Sequence, residues 1–300
     1  MTTWLDRPAG SMSRAARLRR LIEGRTTVAV PGAHDGISAR LARRAGFEAL
    51  YLSGAALSAS MALPDLGLIT LEDVSGRARE IVRAADLPLV VDCDTGFGEA
   101  LNVMHTVRRL EEAGAACMQI EDQQFPKKCG HLNDKRLIPA DDMCRKVAAA
   151  RAAATDLVIC ARTDAAAGSL ADAIARGKRY AEAGADVVFV EALASRDDIR
   201  RVRDQIRAPL LANMTEFGRT PALSLAEWRE AGYELVIFPV SAFRVAARAI
   251  ETFYGDLRQK GHAQDMLPAM MTRAALYELI GYYDYEALDA SIAKTVLDKH

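Results

Sequence analysis

No stretch of this 300-residue chain approaches the roughly eighteen consecutive apolar residues of a membrane-spanning helix, and its N-terminus has no apolar core of a secretory signal. Cysteines number five, with no C-x-x-C pair, which fits neither a disulfide framework nor a zinc site and favours a reducing compartment, the cytoplasm. Charge of one sign is also missing. A formal net charge of -1 gives no overall attraction for nucleic acid or a membrane surface, so any charged ligand must be recognised locally. No second histidine stands at metal-ligand spacing from His131, and Gly96-Phe97-Gly98 lacks the downstream Gly-Lys-Ser/Thr of a nucleotide loop. Aromatics make up only 6% of the chain, but half of it is apolar, enough for one barrel-sized core or two smaller ones.

What is present is a repeated alternation. Eight short apolar runs, starting at Thr27, Ala49, Leu89, Ala116, Leu157, Val187, Leu210 and Leu235, are separated by amphipathic segments rich in Ala, Arg, Leu and Glu. Ala-Gly recurs at Ala45-Gly46, Ala113-Gly114, Ala183-Gly184 and Ala231-Gly232, just ahead of every second run, where glycine can end a helix in the left-handed conformation. Eight strand-helix units predict a closed (β/α)8 barrel, with a doubly wound open sheet as the alternative. Ser13 to Arg25 reads as an amphipathic helix against the fold, with Met12, Ala16, Leu18, Leu21 and Ile22 on its apolar side. No linker divides the chain, so residues 1–300 read as one barrel domain with a helical extension over residues 262–300. Four of the eight tyrosines fall in that extension, which needs a packing partner, either a neighbouring subunit or its own barrel.

Barrel chemistry is assembled at the C-terminal strand ends. Here those ends read Ser53-Gly54, Asp92 with Asp94, Glu121-Asp122, Arg162-Thr163-Asp164, Glu191, Asn213 with Thr215, and Ser241 with Arg244. Asp92-x-Asp94 straddles a strand-to-loop junction, where both carboxylates can face one hard cation such as Mg²⁺ or Mn²⁺; a loop-capping Asp beside a solvated one is the alternative. Asp65 and Glu121 are candidates to complete the shell. Cys129 sits in Lys127-Lys128-Cys129-Gly130-His131, among cations that would favour thiolate; a surface thiol without function is the alternative reading of the run itself. Arg162, Arg244 and Arg273 can each fork onto a carboxylate of a ligand or of the protein.

These residues together resemble the isocitrate lyase and phosphoenolpyruvate mutase superfamily, and within it the methylisocitrate-cleaving branch. The resemblance is carried by Tyr51-Leu52-Ser53-Gly54, Asp92-Cys93-Asp94-Thr95-Gly96-Phe97-Gly98, Ile120-Glu121-Asp122-Gln123, the Lys127 to His131 run, Ala161-Arg162-Thr163-Asp164, Asn213-Met214-Thr215-Glu216-Phe217-Gly218 and Tyr282-Tyr283-Asp284-Tyr285, and it covers nearly the whole chain. It implies a (β/α)8 barrel, Mg²⁺ dependence, a homotetramer that exchanges a C-terminal helix, and retro-aldol cleavage of a small hydroxy di- or tricarboxylate. For this branch the products are pyruvate and succinate, in propionate breakdown. Residue by residue, Asp92 and Asp94 match metal carboxylates, with Asp65 and Glu121 in the surrounding shell. Cys129 matches the catalytic acid, with Lys127, Lys128, His131 and Glu121 as the other catalytic residues. Ser53, Gly54, Ala55, Gly130, Arg162, Glu191, Asn213, Thr215, Arg244 and Arg273 match substrate contacts. Ala55-Ala56 stands where relatives carry more glycine, which leaves alkylmalate (2,3-dimethylmalate) cleavage and oxaloacetate hydrolysis open. A barrel that has lost catalysis and only binds is the reading from another class.

Overall fold

The computed structural model describes residues 12–24, 26–132 and 134–293. Arg25 of the expected N-terminal helix and the last seven residues of the expected extension lie outside the described residues. Two compact units emerge, Met12–Arg244 and a helical unit from Val245 onward.

In the first unit the apolar runs form eight strands: β1 Val28–Pro31, β2 Leu50–Leu52, β3 Leu89–Asp92, β4 Cys117–Glu121, β5 Val158–Thr163, β6 Val187–Val190, β7 Leu210–Asn213 and β8 Leu235–Phe238. All pair in parallel, each with its sequence neighbour from β2 to β8, and β8 pairs with β1. A parallel bridge between Gly32 and Tyr51, with Ala33 N donating to Tyr51 O at 2.8 Å, joins β1 to β2 and rounds off the cylinder. An open doubly wound sheet is thereby excluded, because its two edge strands would not meet. The four Ala-Gly glycines stand at φ between 79° and 116°, the left-handed region that lets a helix stop abruptly before the next strand.

Side chains alternate across each strand, and this partitions the core. Val28, Val30, Val90, Val158, Cys160, Val187, Phe189, Leu211, Leu235 and Ile237 pack together inside the barrel. Leu18 and Ile22 of the helix Arg14–Glu23 join that cluster. Burial falls on Ala15 rather than on the expected Ala16, because the helix turns a slightly different face inward. Alternate residues, such as Leu89, Val91, Met118, Ile120, Ile159 and Ala161, pack outward against helices including Leu71–Ala85, Ala100–Ala113 and Ala140–Ala153. Helix starts are set locally: Thr70, Ser169, Ser195 and Ser224 each accept a backbone N–H in the first turn, worth about 1 kcal/mol apiece.

The second unit carries most of helix Ser241–Lys260, then Arg273–Ile280 and Tyr282–Ala293. Tyr277 stacks on Tyr282 at 4.4 Å, and Tyr283 meets that pair edge-on. Among its described residues only Leu279 is buried, and Val245, Ile250, Tyr254 and Leu267 stand exposed. No helix among the described residues is long and apolar enough to cross a membrane.

Candidate active site

The alternation that fills the barrel also builds the site. Two residues beyond Val90, Gln119, Cys160, Phe189 and Leu211, all on the inward side, come Asp92, Glu121, Arg162, Glu191 and Asn213, each buried at the C-terminal rim. Their sequence neighbours face the other way. Asp122 points into the layer between barrel and helices, where Thr163 Oγ1 and Tyr180 Oη donate to its Oδ2 at 2.7 Å each and Arg176 lies 3.2 Å away. The Glu121-Asp122 pair is therefore divided between two environments, and only Glu121 reaches the mouth.

Asp92 and Asp94 converge. Asp92 Oδ2 accepts from Gly54 N at 3.2 Å, and its Oδ1 accepts from Asp94 N at 3.2 Å and Gln119 Nε2 at 3.3 Å. Gln119 in turn accepts from Tyr51 Oη at 2.9 Å, so a buried relay fixes the first carboxylate. A methyl at Gly54 would lie 3.1 Å from Asp94 Oδ1 and 3.3 Å from Asp92 Oδ2, which places both carboxylates around one point beside the start of helix Gly54–Ser60. Lys127 bridges Asp65 and Asp94, with its Nζ 2.7 Å from Asp94 Oδ1. Beyond that ion pair no hydrogen bond from the described residues reaches Asp94 Oδ1, and Glu121 Oε1 is buried without one. Burial pushes the Asp94 carboxyl up to about 6 against the pull of Lys127, and burial also pushes Glu121 well up despite Arg162. Around the mouth stand Asp65, Asp92, Asp94, Glu121, Asp164 and Glu191, against Lys127, Lys135 and Arg162. An anionic ligand entering here requires additional positive charge. A hard divalent ion that keeps several waters and takes one or two carboxylates fits this donor set. Among the described residues no three His, Cys, Asp or Glu side chains converge closely enough to form a metal cage by themselves.

The Lys127 to His131 run lies on a loop that leaves β4. Its stem is a narrow hairpin: Gln123 bridges Leu137 antiparallel, Gln124 N donates to Arg136 O at 2.7 Å, and the Gln123 amide clamps the Lys128 backbone at 2.8 and 2.9 Å. Two residues before Cys129 the loop is tied to Asp94 by Lys127; one residue after it, Gly130 presses on the arginine cluster. A Cβ at Gly130 would come within 2.3 Å of Glu191 Cγ, 2.4 Å of Arg162 Nη2 and 2.8 Å of Asp164 Oδ1. Cys129, half-buried, is thus held between the aspartate pair and Arg162. Gly130→Ala should lower kcat/KM by about 100-fold, because the loop must lift away from the cluster while the fold persists; steady-state kinetics beside a thermal melt would check it.

Arg162 lies at the centre of that cluster. It forks onto Asp164, Nε to Oδ2 at 2.9 Å and Nη2 to Oδ1 at 3.0 Å, and its Nη1 lies 3.3 Å from Glu121 and 3.4 Å from Glu191. His131 Nδ1 accepts from Arg219 N at 3.0 Å, which leaves the proton on Nε2, 3.3 Å from Glu191 Oε1. Asn213 Nδ2 donates to Glu191 Oε2 at 3.1 Å. Burial alone would raise Glu191, but Arg162, His131 and Asn213 outweigh it and hold the carboxyl down at about 2.

The cationic activation of Cys129 expected from its neighbours is corrected. Lys127 is spent on Asp65 and Asp94, and the His131 ring on Glu191. Burial instead raises the Cys129 thiol above its ordinary value, opposed by the His131 backbone N–H and Arg162. The group stays protonated at neutral pH, the form a proton donor requires. Ser53 is buried as the cap of helix Gly54–Ser60, with Ala55 in its first turn. Thr215 Oγ1 lies 3.4 Å from Arg244 Nη1, and Arg244 pairs with Glu216 at 3.1 Å over the Phe217 ring. Arg273 opens helix Arg273–Ile280 in the other unit. Sequence reasoning passed over Tyr51, Gln119, Gln123 and Lys135 as site residues and took Asp164 only as one more acid at a strand end. Parity with Glu121 would have found Gln119 one layer below, whereas nothing local marks Lys135.

A family model for phosphoenolpyruvate phosphomutase matches residues 18–257, and the chain belongs to that family. It is 51% identical over 284 residues to 2-methylisocitrate lyase of Bacillus subtilis (strain 168), with 94% of each chain covered. Among solved structures it is similar to 2,3-dimethylmalate lyase, a PEP mutase/isocitrate lyase superfamily member, with a TM-score of 0.88 at 35% identity over 96% of this chain and 100% of that one. It is also similar to phosphonopyruvate hydrolase in complex with oxalate and Mg²⁺, with a TM-score of 0.85 at 30% identity over 94% of this chain and 100% of that one.

Proposed function

We propose that this protein is a Mg²⁺-dependent carbon–carbon lyase that cleaves 2-methylisocitrate into pyruvate and succinate. The observation that carries the reading is the placement of Cys129 between Lys127, paired to Asp94, and Gly130, pressed on Arg162. The 51% identity to a 2-methylisocitrate lyase supports the substrate. Asp92 and Asp94 would hold the cation, with Asp65 and Glu121 around it, and an all-oxygen site of this kind would also accept Mn²⁺. Bound there, the ion would stabilise the negative oxygens of the substrate hydroxyl and of the keto acid product.

A base takes the hydroxyl proton, the oxygen's electron pair forms the keto C=O as the adjacent carbon–carbon bond breaks, and that bond's own pair is left on the carbon beside a carboxylate. Cys129 supplies the proton that quenches this carbanion; its raised thiol keeps that proton until it is needed. Arg162, Asn213, Thr215 and Arg244 are proposed to hold the substrate carboxylates, the Ser53 to Ala55 turn to bound the pocket, and Glu191, held ionised, to orient His131 and Asn213. Lys128 completes the basic loop. The exposed apolar side chains of the second unit support assembly as a homotetramer, and free thiols support work in the cytoplasm.

The test is purified protein with Mg²⁺ and a panel of 2-methylisocitrate, 2,3-dimethylmalate and oxaloacetate, ranked by kcat/KM. Methylisocitrate is expected first by about ten-fold or more, as a pocket that hydrogen-bonds an extra carboxylate should favour it. No pyruvate from it, with turnover of another acid, would move the assignment to that sister activity. The likeness to 2,3-dimethylmalate lyase makes this the second reading.

A further inference from the structure

Asp164 is more heavily tied than a partner of Arg162 needs to be. Besides the Arg162 fork it meets Lys135 Nζ, 3.0 Å from Oδ1, and the same ammonium donates to the Gly130 carbonyl. Lys135 keeps 5% of its side chain exposed and Asp164 none, so a long flexible cation has surrendered water and rotamer freedom to join a loop to a strand end. The stem bonds reach only the flanks: the Gln123 amide and the Gln123–Leu137 bridge restrain residues 123–128 and 136–137. Past Cys129 the described tethers are the His131 ring and Lys135, and Lys135 grips the Gly130 carbonyl. Its anchor is itself fixed. Asp164 N donates to Asp122 Oδ1 at 3.0 Å, and Asp122 takes Thr163 Oγ1, Tyr180 Oη and Arg176. A continuous chain of contacts thus runs from the layer behind the barrel, through Asp164 and Lys135, to the residue beside the thiol.

We propose that Lys135 is the positioning residue of the Cys129 loop, holding the Gly130 carbonyl against Asp164 so that Cys129 stays registered between Arg162 and the aspartate pair. Lys135 acts through the Gly130 carbonyl and Asp164, the two groups its ammonium contacts. The catalytic importance of this register rests on the proposed lyase reading; the pin itself does not.

The experiment measures iodoacetamide alkylation of each cysteine by peptide mass mapping in the full-length protein, with half-buried Cys144 as the internal reference. Lys135→Met should accelerate Cys129 labelling about ten-fold and leave Cys144 unchanged, the signature of local release when a charge-assisted bond is lost. Lys135→Gln should repeat the effect, and Lys135→Arg, which keeps charge and donors, should label like the parent. With 2-methylisocitrate, kcat of the Met variant should fall about ten-fold or more with a smaller change in KM, since the acid rather than the carboxylate contacts is displaced. Unchanged Cys129 labelling in both neutral variants, or Cys144 accelerating in step with it, would overturn the pin. Selective acceleration at Cys129 in a protein whose parent turns over no acid of the panel would keep the pin and overturn the lyase reading.

Discussion

Cys129→Ser should reduce pyruvate formation from 2-methylisocitrate by about 1,000-fold, within the range lost when a positioned general acid is removed. The hydroxyl occupies nearly the same volume, and the site is half-buried, so the melting temperature should barely move. A serine hydroxyl is a far poorer proton donor than a thiol, and no other thiol can deputise: Cys93, Cys117 and Cys160 are buried, and Cys144 lies on helix Ala140–Ala153. The measurement is single-turnover kinetics beside a thermal melt. Parent-like turnover by the serine variant would remove Cys129 from the chemistry.

Stripping divalent cations should have a comparable effect. With a chelator present, activity should fall to background, and added Mg²⁺ or Mn²⁺ should restore it. Asp94→Asn should raise the Mg²⁺ concentration for half-maximal activity by about 100-fold or more, at least the loss typical of disturbing groups around a metal. The physical reason lies in the surplus of carboxylates at the mouth. Asp94 pushed up to about 6 reports a charge held where solvent cannot reach it and one ammonium does not fully balance it. Isothermal titration of Mg²⁺ into the parent and the variant gives a readout independent of turnover. Undiminished activity in chelator would discard the metal reading.

The barrel was legible because its signals are local and repeated. Aliphatic runs set the strands, Ala-Gly marked the turns, and position at the strand ends put Asp92, Glu121, Arg162, Glu191 and Asn213 on one rim, while the outward aim of Asp122 emerged only in the fold. The thiol loop was legible in composition but not in direction. From Lys127-Lys128-Cys129-Gly130-His131 the natural inference is that the cations surround the sulfur. In three dimensions Lys127 turns to Asp65, sixty-two positions earlier, and His131 to Glu191 and Arg219. Such pairings depend on which strand ends stand beside the loop, and spacing along the chain does not encode that. Asp164 and Lys135 escaped for the same reason, since an Asp two residues after an Arg on a strand reads as one more rim carboxylate until the fork between them is seen.

The opposite aim of Glu121 and Asp122 makes adjacent codons answer to different demands. Deleting or inserting a single amino acid within β4 would exchange the two acids, sending the wall's brace into the reaction chamber and the chamber's acid into the wall. Length in that strand is accordingly under tighter constraint than identity at most of its positions. Natural variants are expected to drift by substitution there and to keep their insertions for the loops.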